Sequence, residues 1–339
     1  MSATAPLTAA VVGVAAKRIL DTPSREYVAG EDTVGGEYDA WTEEGVLEYY
    51  WGEHIHLGYY TDEEQQAGYK KKDFKQAKFD FVDEMFTWGM DGKGTDGVAK
   101  VLDVGCGIGG TSRYLAKKLL PNAQVTGITL SPKQVERATE LAKEQGVPNA
   151  KFQVMDALAM EFPDNSFDVV WACESGEHMP DKTAYVNEML RVLKPGGKLI
   201  LATWCQRDNL DAIAASGGAP EDLAKGGSNL AGFSEEERER LDFLYREWAH
   251  PYFISYEEYA RICERSGVIA KVETADWAKE TLPSWRHSIW VGVWDPWIVV
   301  FKGPRVWYKT VREIVTLERM HRAFEDGLLT YGMMKATKA

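Results

Sequence analysis

Three titratable side chains stand close together in Glu174-Ser175-Gly176-Glu177-His178-Met179. Carboxylates and imidazoles are the groups that take a proton from an acceptor before it reacts, and histidine titrates near neutrality. Glu174, Glu177 and His178 are therefore the candidate catalysts. Glu174 is equally suited to bind a hydroxyl or order a water, and His178 to face solvent at a helix start, so no single base is assigned. A second concentration of chemistry is Asp103-Val104-Gly105-Cys106-Gly107-Ile108-Gly109-Gly110. Glycines let a backbone turn tightly and approach a ligand. Asp103, two residues before the first glycine, would repel a pyrophosphate lying across the turn and would suit a cation instead. Cys106 reads as a small residue filling a tight spot.

These groups need elements to hold them. Residues 101–104 read as a buried strand and 111–119 as a helix, so the glycine turn lies between strand and helix, and a helix N-terminus favours negative charge at its free N–H groups. Further strand candidates are 123–128, 151–155, 167–172, 198–204, 268–276 and 330–337. Helical patterns fall at 62–90, 132–145, 181–193, 234–248 and 255–266. This alternation predicts an α/β fold, a mostly parallel seven-stranded Rossmann-like sheet with helices on both faces. Ligands of such sheets gather at the carboxyl ends of the strands. The second strand leads into Thr129-Leu130-Ser131-Pro132-Lys133-Gln134, with no acid to hold ribose hydroxyls. Gln134, with Thr129 and the backbone at Leu130, is the polar substitute. Ser131-Pro132 also reads as a helix cap with proline at the first helical position. The third strand ends at Asp156-Ala157 and the fourth near Glu174. Asp168 reads as structural, and Lys194-Pro195-Gly196-Gly197 as a turn from helix to strand.

Two aromatic stretches flank this core. Tyr49-Tyr50-Trp51-Gly52-Glu53-His54-Ile55-His56-Leu57-Gly58-Tyr59-Tyr60 is placed to close over a ligand. In an extended segment His54 and His56 share one face without a third ligand, so metal is not expected. Six of the twelve tryptophans lie between 277 and 307, including Trp285 and Trp290. They read as a cap packed on the sheet or, in the favoured reading, as the lining of a hydrophobic pocket that also touches a membrane surface. Tyr50 is assigned toward the ligand of the glycine turn; Tyr59, His56, Trp285 and Trp290 toward a second, apolar ligand. The expected organisation is a poorly ordered 1–40, a helical and aromatic lid at 41–95, and a ligand-binding domain at 96–339 with cap insertions at 205–250 and 278–328.

The formal net charge of −13 argues against nucleic acid. Four well-separated cysteines have no metal-ligand spacing and point to a reducing compartment, cytoplasm or plastid. No stretch reaches the apolar length of a membrane span. The first twenty residues, small and apolar before Lys17-Arg18, read first as a frayed helix, then as a weak surface anchor or the remnant of a targeting segment. Oligomeric state is not legible.

The spacing Asp-x-Gly-x-Gly-x-Gly at 103–109 resembles motif I of the class I S-adenosylmethionine-dependent methyltransferases. The 49–60 segment, Leu-Asp-Val-Gly-Cys-Gly-Ile-Gly-Gly-Thr-Ser-Arg-Tyr-Leu-Ala at 102–116, Gly-Ile-Thr-Leu-Ser-Pro-Lys-Gln at 127–134, Glu-Ser-Gly-Glu-His-Met at 174–179, Trp-Cys-Gln-Arg-Asp at 204–208 and Gly-Leu-Leu-Thr-Tyr-Gly-Met-Met-Lys-Ala-Thr-Lys at 327–338 together resemble the γ-tocopherol methyltransferase-like proteins. The resemblance implies the class I methyltransferase fold with S-adenosylmethionine as cofactor. Asp103, Gly105, Gly107 and Gly109 would cradle its amino-acid part, Thr129, Leu130 and Gln134 would lie toward the ribose, Asp156 and Ala157 toward the adenine, and Glu174 close by. It further implies C-methylation of a hydrophobic aromatic acceptor, a tocopherol or prenylated quinol, by phenol deprotonation and in-line transfer. N-methylation of an amine or alkaloid, S-methylation of a small molecule and a sterol-type C-methylation remain alternatives. Outside this class stand a cofactor-binding protein without catalysis and a nicotinamide dehydrogenase; Asp103 and the missing acid after the second strand weigh against the latter.

Overall fold

The computed structural model describes residues 17–24, 36, 39, 42–92, 95–219 and 230–339. Seven strands form one sheet: β1 Lys100–Val104, β2 Gln124–Thr129, β3 Ala150–Val154, β4 Phe167–Cys173, β5 Leu193–Gln206, β6 Ile269–Asp276 and β7 Leu329–Lys338. Their order is β3-β2-β1-β4-β5-β7-β6. Neighbours from β3 to β5 pair in parallel, and β7 runs antiparallel between β5 and β6. This is the class I methyltransferase sheet. From β1 the order departs in two directions, to β2 on one side and β4 on the other. Such a switch point opens a crevice at the carboxyl ends of the strands.

Burial on both faces explains the continuous apolar runs of the central strands. Alternate residues serve alternate faces. Val101, Val125, Val169, Trp171 and Ile200 join a core with Phe81, Met85 and Met320 from the helices Phe74–Gly89 and Pro304–Glu325. Leu102, Val104, Val170, Ala172 and Leu201 join the opposite core with Tyr185, Met189, Tyr259 and Ile262 from Lys182–Val192 and Tyr256–Arg265.

All seven expected strands form. Expectation and structure part at local irregularities. β5 starts before 198, because Leu193 pairs with Phe167 before Lys198 pairs with Val169. The Lys194–Gly197 turn survives inside the strand as this shift in register, with Gly196 at φ 74°. The single helix expected over 62–90 is three pieces, Asp62–Gly68, a 3-10 turn Tyr69–Lys71 and Phe74–Gly89. The break has a local cause. Gly68 takes φ 101°, and Asp73 restarts the helix by accepting from the Gln76 N–H at 2.7 Å. The helix Gly110–Tyr114 continues as a π-helical turn, Leu115–Leu119. Ser131 caps Pro132–Glu144 by accepting from Gln134 N at 3.0 Å. Asp168 is a structural staple, accepting from the N–H groups of Ala99 and Lys100 and pairing with Lys194.

The 278–328 excursion folds into helices Ala278–Thr281, Pro283–Trp294, Trp297–Val300 and Pro304–Glu325. The 205–250 segment contributes Leu210–Ala215 and Glu235–Glu247, and 220–229 lie outside the described residues. One buried ion pair joins the two excursions: Arg312 Nη2 lies 2.8 Å from Glu247 Oε2. Glu247 also accepts from the Ser24 N–H at 2.6 Å, and Arg312 donates to the carbonyls of Ile19 and Thr22. Most of 1–40, expected to be poorly ordered, lies outside the described residues, but 17–24 are docked on this pair rather than frayed. Among the described residues no helix is long and apolar enough to cross a membrane.

Candidate active site

A cavity of about 520 Å³ opens at the carboxyl ends of β1 to β4. Its floor is the glycine turn, and two glycines explain how close the walls stand. Gly105 takes φ 84°, and a Cβ there would strike the Ser175 side chain. Ser175 donates to the Val104 carbonyl at 2.8 Å, so the loops after β1 and β4 are bound together beneath the cavity. A Cβ on Gly110 would run into the Glu53 carbonyl. The segment Glu53-His54-Ile55-His56 thus rests directly on the turn and roofs the cavity. Arg113 fixes it there, its guanidinium 2.6 Å from Glu53 Oε2 and donating to the Ile108 carbonyl at 2.7 Å.

Asp103 lies in the cavity wall, buried, with Oδ2 accepting from Ser112 Oγ at 2.5 Å. Burial pushes its carboxyl up to about 6, against the hydroxyl's pull downward. A buried carboxylate facing a cavity is a site for a cation. Gly107, Thr129, Leu130, Gln134, Asp156 and Ala157 line the same space. Gln134 is buried and accepts through Oε1 from Thr129 Oγ1 at 2.7 Å, which leaves its amide N–H₂ as donor. Asp156 is exposed and turns Oδ1 back to the Leu158 N–H. A cation-binding acid, a bare backbone turn, then an amide and a second acid fit the ammonium, ribose and adenine of S-adenosylmethionine in that order.

Glu174 closes the far wall. It takes φ 50°, a left-handed conformation unusual for a side-chain-bearing residue. Oε1 accepts from the Leu57 N–H at 2.8 Å and from Tyr331 O–H at 2.7 Å. Burial raises the Glu174 carboxyl well above the ordinary range, opposed by these donors. Glu177 does not line the cavity; it is buried behind Glu174 and accepts from Thr203 Oγ1 at 2.6 Å. Burial and the nearby Glu174 charge raise it too. Lys182 lies beneath, donating to the carbonyls of Gly176 and Glu177, and burial lowers it to about 7. His178 lines the cavity, with its ring against His250, and burial lowers it to about 3. In the roof His54 and His56 contact each other and Thr111. Burial lowers both, His56 to about 3.

The structure thus brings together Asp103, Gly105, Gly107, Thr129, Leu130, Gln134, Asp156, Ala157, Glu174, His178 and His56. It sets the other expected residues elsewhere. Gly109 faces away, against Phe152 and Arg113. Tyr50 stands in a separate depression with Tyr49 and Val291, its hydroxyl donating to the Asp295 carbonyl at 2.6 Å. Tyr59 packs edge-on to Trp277, and its N–H is taken by the Ala77 carbonyl. Trp285 is core, wedged between Trp204 and Phe324. Trp290 lies under Lys70, whose Nζ is 3.6 Å from its ring centre. Three participants had escaped the sequence: Tyr331, the Leu57 N–H and Lys78, whose buried ammonium donates to the His56 carbonyl at 3.2 Å. Only Lys78 left a trace, as a cation on the apolar face of a helix.

The methyltransferase-domain family matches residues 96–239. A 2-methyl-6-phytyl-1,4-hydroquinone methyltransferase of Synechocystis sp. is 45% identical, covering 91% of this chain and 88% of its own length. A probable chloroplastic tocopherol O-methyltransferase of Oryza sativa is 36% identical over 91% of this chain and 78% of its own length. Among solved structures, a putative sarcosine dimethylglycine methyltransferase from Galdieria sulphuraria superposes with a TM-score of 0.69 at 20% identity, over 89% of this chain and 98% of that one.

Proposed function

Because this chain belongs to the tocopherol methyltransferase-like family of S-adenosylmethionine-dependent methyltransferases, we propose that it methylates a ring carbon of a prenylated hydroquinone or tocopherol. The observation that carries this reading is Glu174, a half-buried carboxylate of raised proton affinity on the wall of the cofactor cavity. A phenol needs such a base, because losing its proton raises electron density at the ortho carbon.

Bound S-adenosylmethionine supplies a methyl group made electrophilic by its positive sulfur. The chain supplies placement. Asp103 would hold the ammonium, Gln134 and Thr129 the ribose, Asp156 the adenine. Glu174, anchored at Oε1 by Tyr331 and Leu57, would receive the phenolic proton at Oε2. Burial disfavours the charged forms of His54, His56 and His178, so these walls add no positive charge opposite a sulfonium. The roof at 53–56 would exclude water and fix the acceptor's approach, which is the larger part of catalysis for an already activated methyl. In this reading 41–95 act as lid, and the cap between β6 and β7 meets an acceptor dissolved in a membrane. The cyanobacterial and chloroplastic relatives support a photosynthetic setting, cytoplasmic or plastid.

The test is incubation with methyl-labelled S-adenosylmethionine and, separately, 2-methyl-6-phytylhydroquinone, γ-tocopherol and an alkaloid amine. Label on an aromatic carbon of either quinol-type acceptor is the expected product. Label only on the amine, or none on the phenols, overturns the proposal.

A further inference from the structure

Among the described residues, most exposed large apolar side chains fall between 293 and 314. Trp297 and Phe301 are 61% and 82% exposed and stack on each other with ring centres 6.2 Å apart. Trp307 turns its N–H inward to the Val299 carbonyl at 3.0 Å, so its ring lies on the outer surface with its polar atom satisfied. Tyr49 joins the patch through its hydroxyl on Asp295. A protein in water does not ordinarily show so large an aromatic face.

Charge identifies its partner. The chain carries −13 overall, yet residues 296–312 hold Lys302, Arg305, Lys309 and Arg312 and no acid. Lys309 is paired with Glu44 and Arg312 with Glu247. Lys302, which donates to the Glu44 carbonyl, and exposed Arg305 leave positive charge beside the aromatics. A second copy docking face to face would press these like charges together. Aromatic rings beside unneutralised cations fit a surface that is apolar within and anionic at its rim.

We propose that the Trp297–Phe301–Trp307 face docks on an anionic lipid bilayer. The inference rests on the reading that the acceptor is a prenylated, membrane-dissolved phenol, and it connects that membrane to the site. Asp295, at the edge of the patch, is bound by Tyr49 and Tyr50, and Ser284 accepts from the Gly58 N–H at 2.7 Å. These contacts fall on either side of the 53–56 roof. The cap that would meet lipid is thereby tied to the segments that flank the roof of the cavity.

The test is co-sedimentation of the full chain with vesicles of equal parts phosphatidylglycerol and phosphatidylcholine, and with phosphatidylcholine alone. The protein should bind the anionic vesicles better. Phe301→Ser and Trp297→Ser, at exposed positions, should each weaken binding about tenfold or more. Lys302→Glu with Arg305→Glu should abolish the preference for anionic lipid. All should leave methylation of a short-chain, water-soluble hydroquinone unchanged. If wild type and variants sediment equally with vesicles, or wild type not at all, the docking face is overturned. A dimer in sedimentation velocity that Phe301→Ser dissolves would assign the face to a second copy and overturn it equally. Vesicle binding is read without turnover, so a wrong acceptor cannot masquerade as a failure of docking.

Discussion

Tyr331 O–H lies 2.7 Å from Glu174 Oε1, so a donor on the antiparallel β7 holds a carboxylate at the end of the parallel β4. Glu174→Gln should lower kcat on a phenolic acceptor by about a hundredfold or more while leaving S-adenosylmethionine binding within a few fold. Burial raises the Glu174 proton affinity, so activity should climb with pH along a limb above the ordinary carboxylate range. Tyr331→Phe removes a donor that favours the charged form and should move that limb to higher pH. A limb unmoved by either substitution would remove Glu174 from the mechanism.

Asp103→Asn should separate binding from stability. Without the carboxylate the ligand ammonium loses its partner, costing about 2 kcal/mol or more, roughly thirtyfold in Kd. The ligand-free protein should move the other way. Asp103 rises from 3.8 unfolded to about 6 folded, so its stabilising contribution is complete below the unfolded value and lost as pH rises through 6. At neutral pH the variant should melt higher than wild type, by on the order of 3 kcal/mol at most, and the gap should close near pH 4. Calorimetric titration and melting curves check both; equal affinity would remove Asp103 as the ammonium's partner.

Gly110→Ala places a methyl group against the Glu53 carbonyl. Such overpacking costs about 1–3 kcal/mol. The roof should lift, the Arg113–Glu53 pair should loosen, and cofactor affinity should fall with stability. Hydrogen exchange at 53–57 reads this directly, and protection as in wild type would contradict it.

Arg312→Met strips Glu247 of its buried partner. Removing one member of such a pair costs about 3–5 kcal/mol. Residues 19–24 also lose their anchor, so limited proteolysis should cut near Ser24 sooner than in wild type. Arg312→Met with Glu247→Leu should recover much of the stability, while unchanged stability in the single variant would show the pair to be inert.

What the sequence disclosed was local. Asp103, the glycines, Gln134 and Asp156 each stand within a few residues of a strand end, and strand patterning alone locates strand ends. The arrangement around Glu174 was hidden because its donors come from Leu57 and Tyr331, 117 and 157 residues away. No local pattern distinguishes Tyr331 from any other strand tyrosine. Aromatic richness misled in the other direction. Trp285 and Trp290 belong to one stretch, yet one is core and the other lies against a lysine, because bulk and polarity do not separate packing from ligand contact. Tyr50 adjoins the roof in sequence, but the helix Val46–Trp51 carries its hydroxyl to Asp295.

β7 is the seventh strand in sequence but pairs on both sides, with β5 and with β6. A nascent chain that has emerged only through β6 therefore has a β5 edge without its partner, a β6 with no strand beside it, and Glu174 without Tyr331. The carboxylate proposed to take the acceptor's proton acquires its second donor only when β7 threads the gap. Completion of the proposed base therefore waits on the strand of this sheet that is made last.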